Sequence, residues 1–259
     1  MKGSAGVMAL VLAETVAGSA VLLWCTPLWN EVKRGFFKLM GVLLLVLASL
    51  TWFSASSSAI VGNASGSWSV RLALATVAVI ALATVFLFLR QPAAARIVGI
   101  GGAIVSVGTL VAMAGMGRQS FALSLFQLVV GAAFLGSVLD GLMLGHWYLT
   151  DRGLPRGPIN RYTTVMLVSV AIEAVAVISS GFSGTGSNQG FNPILTAGAL
   201  APWIALGMAG TTGLIAAFTR ATLKGERASA VQSATGFYYL AVVTALTAEL
   251  AVKTRYLAV

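Results

Sequence analysis

Charge is what this sequence has least of. Only 9% of its 259 residues are Asp, Glu, Lys or Arg, while 58% are apolar, and a water-facing surface cannot be covered on that allowance. Composition alone therefore excludes an ordinary soluble domain. Cysteine and histidine are almost missing: Cys25 and His146 are each the sole representative of their type. One cysteine makes neither an internal disulfide nor a CxxC redox pair, and one histidine cannot complete a multi-histidine metal site. A haem held by two histidines of this chain is impossible for the same reason, although a haem or chlorophyll with one ligand from elsewhere is not excluded. There is no phosphate-binding GxxxxGK[ST] loop, no HExxH and no GxSxG, so no motif names a reaction. Gly99-Ile100-Gly101-Gly102 superficially suggests a dinucleotide loop, but it lies inside an apolar run with no strand before it, where helix packing explains it better.

What the chain has instead is long apolar runs, with a mean hydropathy of +0.93. Eight segments, at roughly 4–27, 37–61, 70–90, 97–117, 120–149, 162–182, 194–219 and 230–252, are each long enough to cross a hydrocarbon layer of about 30 Å as a helix. The fold expected is an all-α, multi-pass integral membrane protein, residues 1–259 forming one transmembrane domain. Pro27, Pro92, Pro155, Pro158 and Pro193 lie in or beside the breaks, and Pro202 falls inside the seventh segment, where a kink is expected. The N-terminus imitates a secretory signal, but Glu14 interrupts the apolar stretch and Trp24 precedes Cys25 where a lipoprotein signal needs a small residue. The first segment is read as a retained span.

The net charge of +9 is carried by the breaks. Lys33, Arg34, Lys38, Arg90, Arg96, Arg152, Arg156, Arg161, Arg220, Lys224 and Arg227 occupy the odd-numbered breaks, leaving only Lys2, Arg71, Arg118, Lys253 and Arg255 for the opposite side. By the positive-inside rule both termini face outward and the basic breaks face the cytoplasm of a bacterial inner membrane. Such loop charges serve orientation and anionic lipid headgroups, not nucleic acid. A weak repeat accompanies this pattern. The second segment leaves through Ser56-Ser57-Ser58 and Gly62 to Trp68, the sixth through Ser179-Ser180-Gly181 and Gly184 to Phe191; Phe88-Leu89-Arg90 is echoed by Phe218-Thr219-Arg220. Two parallel four-helix halves, 1–119 and 120–259, account for it, as does the ordinary abundance of Gly and Ser in turns.

Acids inside spans are costly and so informative. Glu14, Asp140, Glu173 and Glu249 fall there, at different depths, which suits a proton pathway; each also fits a hydrogen-bonded helix contact. His146 lies in Asp140-Gly141-Leu142-Met143-Leu144-Gly145-His146-Trp147-Tyr148. Its six-residue offset from Asp140 turns it about 240° away, so the two do not share a face. Gly145, His146, Trp147 and Tyr148 form a candidate cofactor site. The histidine fits a quinone headgroup contact, an axial ligand or an interfacial structural role, and Gln232 to Tyr239 at the start of the last segment would close a pocket with it. Asn63-Ala64-Ser65 also fits a glycosylation sequon, relevant only in a secretory eukaryote.

Eight spans, outward termini and sparse intramembrane acids, with Ala13-Glu14-Thr15-Val16-Ala17-Gly18-Ser19 and Gly35-Phe36-Phe37-Lys38-Leu39-Met40-Gly41 in the first two helices, resemble the membrane-anchor subunits of the polysulfide reductase and dimethyl sulfoxide reductase type. That resemblance is architectural. The chain is shorter than the family and lacks a diagnostic motif, so no quinone ligand carries over. It implies a haem-free subunit exchanging electrons between a quinol and a partner's iron–sulfur chain. The expectation is thus a non-catalytic subunit of a respiratory or photosynthetic electron-transfer complex, in contact with quinone, a proton path, lipid and other redox subunits. The alternatives are a proton-coupled transporter or exporter, and a structural or pigment-binding scaffold.

Overall fold

In lipid every backbone N–H and C=O must find its partner within the chain, so uninterrupted apolar runs become helices. The computed structural model describes residues 3–59, 63–151, 153–179, 200–225 and 228–256. They form α1 (Gly3–Cys25), a single turn α2 (Leu28–Glu31), α3 (Arg34–Ser58), α4 (Ala64–Phe88), α5 (Pro92–Ala114), α6 (Phe121–Thr150), α7 (Gly157–Ser179), α8 (Ala201–Leu223) and α9 (Ala228–Tyr256). All but α2 are long and apolar enough to cross a membrane.

The helix starts are set by local chemistry. Asn63 Oδ1 accepts from Gly66 N at 3.0 Å and Ser120 Oγ from Leu123 N at 3.4 Å, capping α4 and α6. Pro92 opens α5, where its missing N–H costs nothing. Pro202 does the same for α8, so the kink expected in the seventh span is not there: the helix begins at Ala201, and Pro202 stands in its first turn. Residues 194–199, expected in that span, and the loop from Gly184 to Phe191 used for the repeat lie outside the described residues.

Helix neighbours divide by chain order. α1 packs on α3, α3 on α4, α4 on α5, and α5 returns to α1; α6 packs on α7, α7 on α8, α8 on α9, and α9 returns to α6. The two rings meet where α1 lies against α6, flanked by α1–α9 on one side and α5–α6 on the other. This seam is the core: 72% of the apolar window of α1 and 61% of that of α6 is buried, against 33% for α4. Glycine lets the two backbones approach. A Cβ at Gly136 would stand 2.6 Å from Ser19 N and 2.7 Å from Gly18 Cα, closer than any side chain tolerates.

One end of the bundle gathers the basic residues and an aromatic cluster. Trp24, Trp29, Phe37, Phe36 and Trp147 stack in tilted and edge-on pairs with centroids 4.6–6.0 Å apart. Lys33 pairs with Asp151 at 3.0 Å, and Arg161 with Glu31. At the other end, where α1 starts and α9 finishes, Arg118 N donates to Tyr256 O at 3.1 Å.

Candidate functional site

Three of the four intramembrane acids converge instead of forming a ladder. Glu14 of α1, Glu173 of α7 and Glu249 of α9 meet around Lys253, one turn beyond Glu249. Lys253 Nζ lies 2.7 Å from Glu14 Oε1 and 3.1 Å from Glu249 Oε2, and the Glu173 carboxyl adjoins Glu249. Their exposures are 0% for Glu14, Glu249 and Lys253 and 1% for Glu173. The physical reason for the convergence is that the three helices reach one level at different points along their lengths. Position 14 is mid-way along α1, whereas 249 and 253 are near the end of α9, which runs past it. Gly131 makes the space: a Cβ there would fall 2.6 Å from Glu14 Oε1 and 3.0 Å from Glu249 Oε1. At 1.5 Å per residue this level is about 15 Å from the start of α6, deep within the span.

Lys253 is the residue the sequence reading missed, having been assigned to the side opposite the basic breaks. α9 continues to Tyr256 and carries it inside. The i, i+4 spacing of Glu249 and Lys253, a stabilising pair on one helical face, was the available signal. Among the described residues the cluster is not saturated. Glu14 Oε2 is buried with no hydrogen-bond partner, and the Glu173 and Glu249 carboxyls lie within hydrogen-bonding reach of one another. With all four groups ionised, three carboxylates and one ammonium leave two uncompensated negative charges, an expensive arrangement away from water. Protonation of two of the carboxyls would remove that excess.

Asp140 stands apart, about 13 Å from Gly131 by the rise of α6. Its Oδ2 accepts from the Tyr162 hydroxyl at 3.3 Å, and the Ser19 hydroxyl lies beside it. Tyr162 can also donate to Leu22 O at 3.3 Å. At the same level Thr163 and Tyr238 share a hydroxyl–hydroxyl contact of 2.9 Å, with Tyr238 lying over Gly141.

The four residues of the candidate cofactor site point apart, because consecutive helical residues step 100°. Gly145 faces Thr235 of α9. His146 Nδ1 is within 3.0 Å of Leu142 O, and its Nε2 contacts the Tyr239 hydroxyl, the rings lying edge to face with centroids 5.1 Å apart. Trp147 packs on Gly35 and Phe36 of α3, and Tyr148 donates to Pro155 O. From Gln232 to Tyr239, it is Tyr239 that meets the histidine. Asn63, first residue of the sequon, serves as the α4 cap. No group of three or more His, Cys, Asp or Glu suited to a metal occurs among the described residues. A small cavity of about 10 Å³, roughly the room one water needs, lies within the first ring between Ala13, Thr51, Thr76 and Thr109.

No protein-family model matches this chain, and neither the curated proteins nor the solved structures give a match.

Proposed function

We propose that this chain is a proton-coupled membrane transporter that loads and unloads protons at the Glu14–Glu173–Glu249–Lys253 cluster. The single observation carrying this reading is a fully buried site with three carboxyls and one ammonium, placed on the seam between two four-helix rings. Protons neutralise the excess negative charge, and Lys253 fills the role of an internal cation when they leave. Movement of one ring against the other about the α1–α6 contact would expose the cluster to alternate sides, the usual geometry of carriers built from repeats. Following the positive-inside rule, the basic end faces the cytoplasm and both termini face out.

The test is reconstitution of the purified chain alone in liposomes with an internal pH dye. Proton flux should follow an imposed potential in the wild type and be abolished in Glu14→Gln and Glu249→Gln. A wild type that moves no protons without redox partners overturns the reading.

A second reading keeps the electron-transfer subunit, because His146 and Tyr239 form a paired, partly exposed hydrogen-bonding site on the flank of α6 and α9. A quinone headgroup with its tail in lipid would suit it. Quinone retained by the wild type under mild purification and lost in both His146→Ala and Tyr239→Phe would favour this reading.

A further inference from the structure

The seam cluster is sealed at its own level, so protons reaching it need a route through the helices. Glu173 and Ser169 are i and i−4 on α7 and therefore share a face one turn apart. Ser169 Oγ is 3.5 Å from Ser137 Oγ of α6, and Ser137 is three residues, less than one turn, from Asp140. Asp140 Oδ2 accepts from Tyr162 at 3.3 Å. Tyr162 has a second acceptor, Leu22 O, also at 3.3 Å, and lies beside Thr26, which follows the last residue of α1 and is half-buried. The polar positions thus descend from the middle of the bundle to its basic end along α6, α7 and α1, where the surrounding packing is otherwise apolar.

The Asp140 carboxyl is held between two hydroxyls, Tyr162 at Oδ2 and Ser19 beside it within hydrogen-bonding reach. A buried carboxyl fed by a hydroxyl that has a second acceptor of its own is the arrangement a proton relay requires.

We infer that Ser137, Ser169, Asp140 and Tyr162 form the proton path between the seam cluster and the basic end of the bundle, opening at Thr26. This rests on the transporter reading and adds its route. The step conserves atoms and electrons. Tyr162 gives its proton to the Asp140 carboxylate as it takes one from the Thr26 side: at the tyrosine oxygen one O–H bond breaks and one forms, Asp140 gains an O–H, and the donor on the Thr26 side loses one. Asp140 then releases its proton through Ser137 and Ser169 to Glu173. Swinging the Tyr162 hydroxyl between Leu22 O and Asp140 resets the path for the next proton.

The experiment is proton flux in liposomes containing the full chain, run in H₂O and D₂O, for wild type, Glu14→Gln, Asp140→Asn, Asp140→Glu and Tyr162→Phe. A relay in which proton transfer is slow should lose about tenfold or more on removal of its hydroxyl or carboxyl. Tyr162→Phe and Asp140→Asn are expected to show that loss and a larger solvent isotope effect, while Asp140→Glu retains much of the flux. Tyr162→Phe removes a single oxygen, so it decides the matter even if Asp140→Asn fails to fold. Wild-type flux and isotope effect in Tyr162→Phe, with Glu14→Gln inactive, would overturn the path and leave the seam reading standing. No flux in the wild type would overturn both.

Discussion

The two rings bury matching positions with different chemistry. Along α3 the buried residues Phe37, Met40, Gly41, Leu44, Ala48 and Thr51 keep step with Ile159, Tyr162, Thr163, Met166, Val170 and Glu173 of α7. Along α5, Ala95, Gly99, Ser106, Leu110 and Ala114 keep step with Ala234, Tyr238, Ala245, Glu249 and Lys253 of α9. Where the second ring places Glu173, Glu249 and Lys253, the first places Thr51, Leu110 and Ala114. Equal burial shows that both sets of helices solve the same packing problem, so packing does not require the charges. Burying them costs several kcal/mol per ion before pairing offsets it, a cost that the proposed transporter role would account for.

The sharpest way to break this comparison is at Lys253. Lys253→Met leaves three carboxyls around an apolar tip, and removing one member of a buried ionic group costs about 3–5 kcal/mol. The variant should express poorly or melt far below the wild type in detergent. Its counterpart Ala114→Met, at the matching position of the first ring, should lower the melting point much less. Equal effects at both positions would mean that the lysine is doing no more than filling space.

Next in size is the seam. Gly136→Ala pushes a methyl into the backbone of Ser19, 2.6 Å away, and neither chain can yield without parting α1 from α6. Overpacking of this sort costs about 1–3 kcal/mol. Gly210 offers the control, with nothing within 4 Å of its would-be Cβ; Gly210→Ala should be neutral or stabilising by about 0.5–1 kcal/mol, the helix-propensity gain of alanine. Thermal melts of the two variants check both signs.

How much of this was legible beforehand follows from which physics is local. Eight helices came through from run length, since hydrophobic thickness and helix rise are properties of a segment alone. Glu14, Glu173 and Glu249 stood out because a carboxylate in an apolar run is anomalous on sight. Their meeting was not legible. Depth estimated separately for each span spread them into a ladder, and the end of α9 was placed too early to bring Lys253 inside. Pro202 misled for a related reason: proline inside an apolar run predicts a kink, but the helix starts late enough for it to occupy the first turn. His146 and Trp147, adjacent in sequence, were grouped as one site, while the helix sends them to α9 and α3 respectively.

A third test uses an exchange of large and small residues. Trp24 of α1 lies over Gly99 of α5, whereas in the second ring it is α6 that supplies Gly141 and α9 that supplies Tyr238. The bulky partner has changed helix, but the sum of sizes is kept. Gly141→Ala should destabilise by colliding with the Tyr238 ring, and adding Tyr238→Ala should recover part of that loss. Residues in contact couple by about 0.5–3 kcal/mol in such cycles. Strict additivity in the double mutant would show that the two do not meet.

The smallest expected effect concerns the point on which the rings agree. Thr76 and Thr109 share a hydroxyl contact of 3.3 Å between α4 and α5, and Thr212 and Thr244 one of 2.7 Å between α8 and α9. Each of these threonines also has a carbonyl of its own helix in reach; with one proton per hydroxyl, one member of each pair donates across while the other donates within its helix, and a donor that loses its partner turns back to its own carbonyl, so no polar group is stranded. Hydrogen bonds between membrane helices average about 0.6 kcal/mol in such cycles. Thr-to-Val cycles on the two pairs, followed by thermal melting, should therefore give small couplings that agree within about 0.5 kcal/mol. If the second pair coupled far more strongly than the first, the asymmetry of the molecule would extend beyond its charges to the packing of the rings, and the inference that packing is indifferent to those charges would have to be given up.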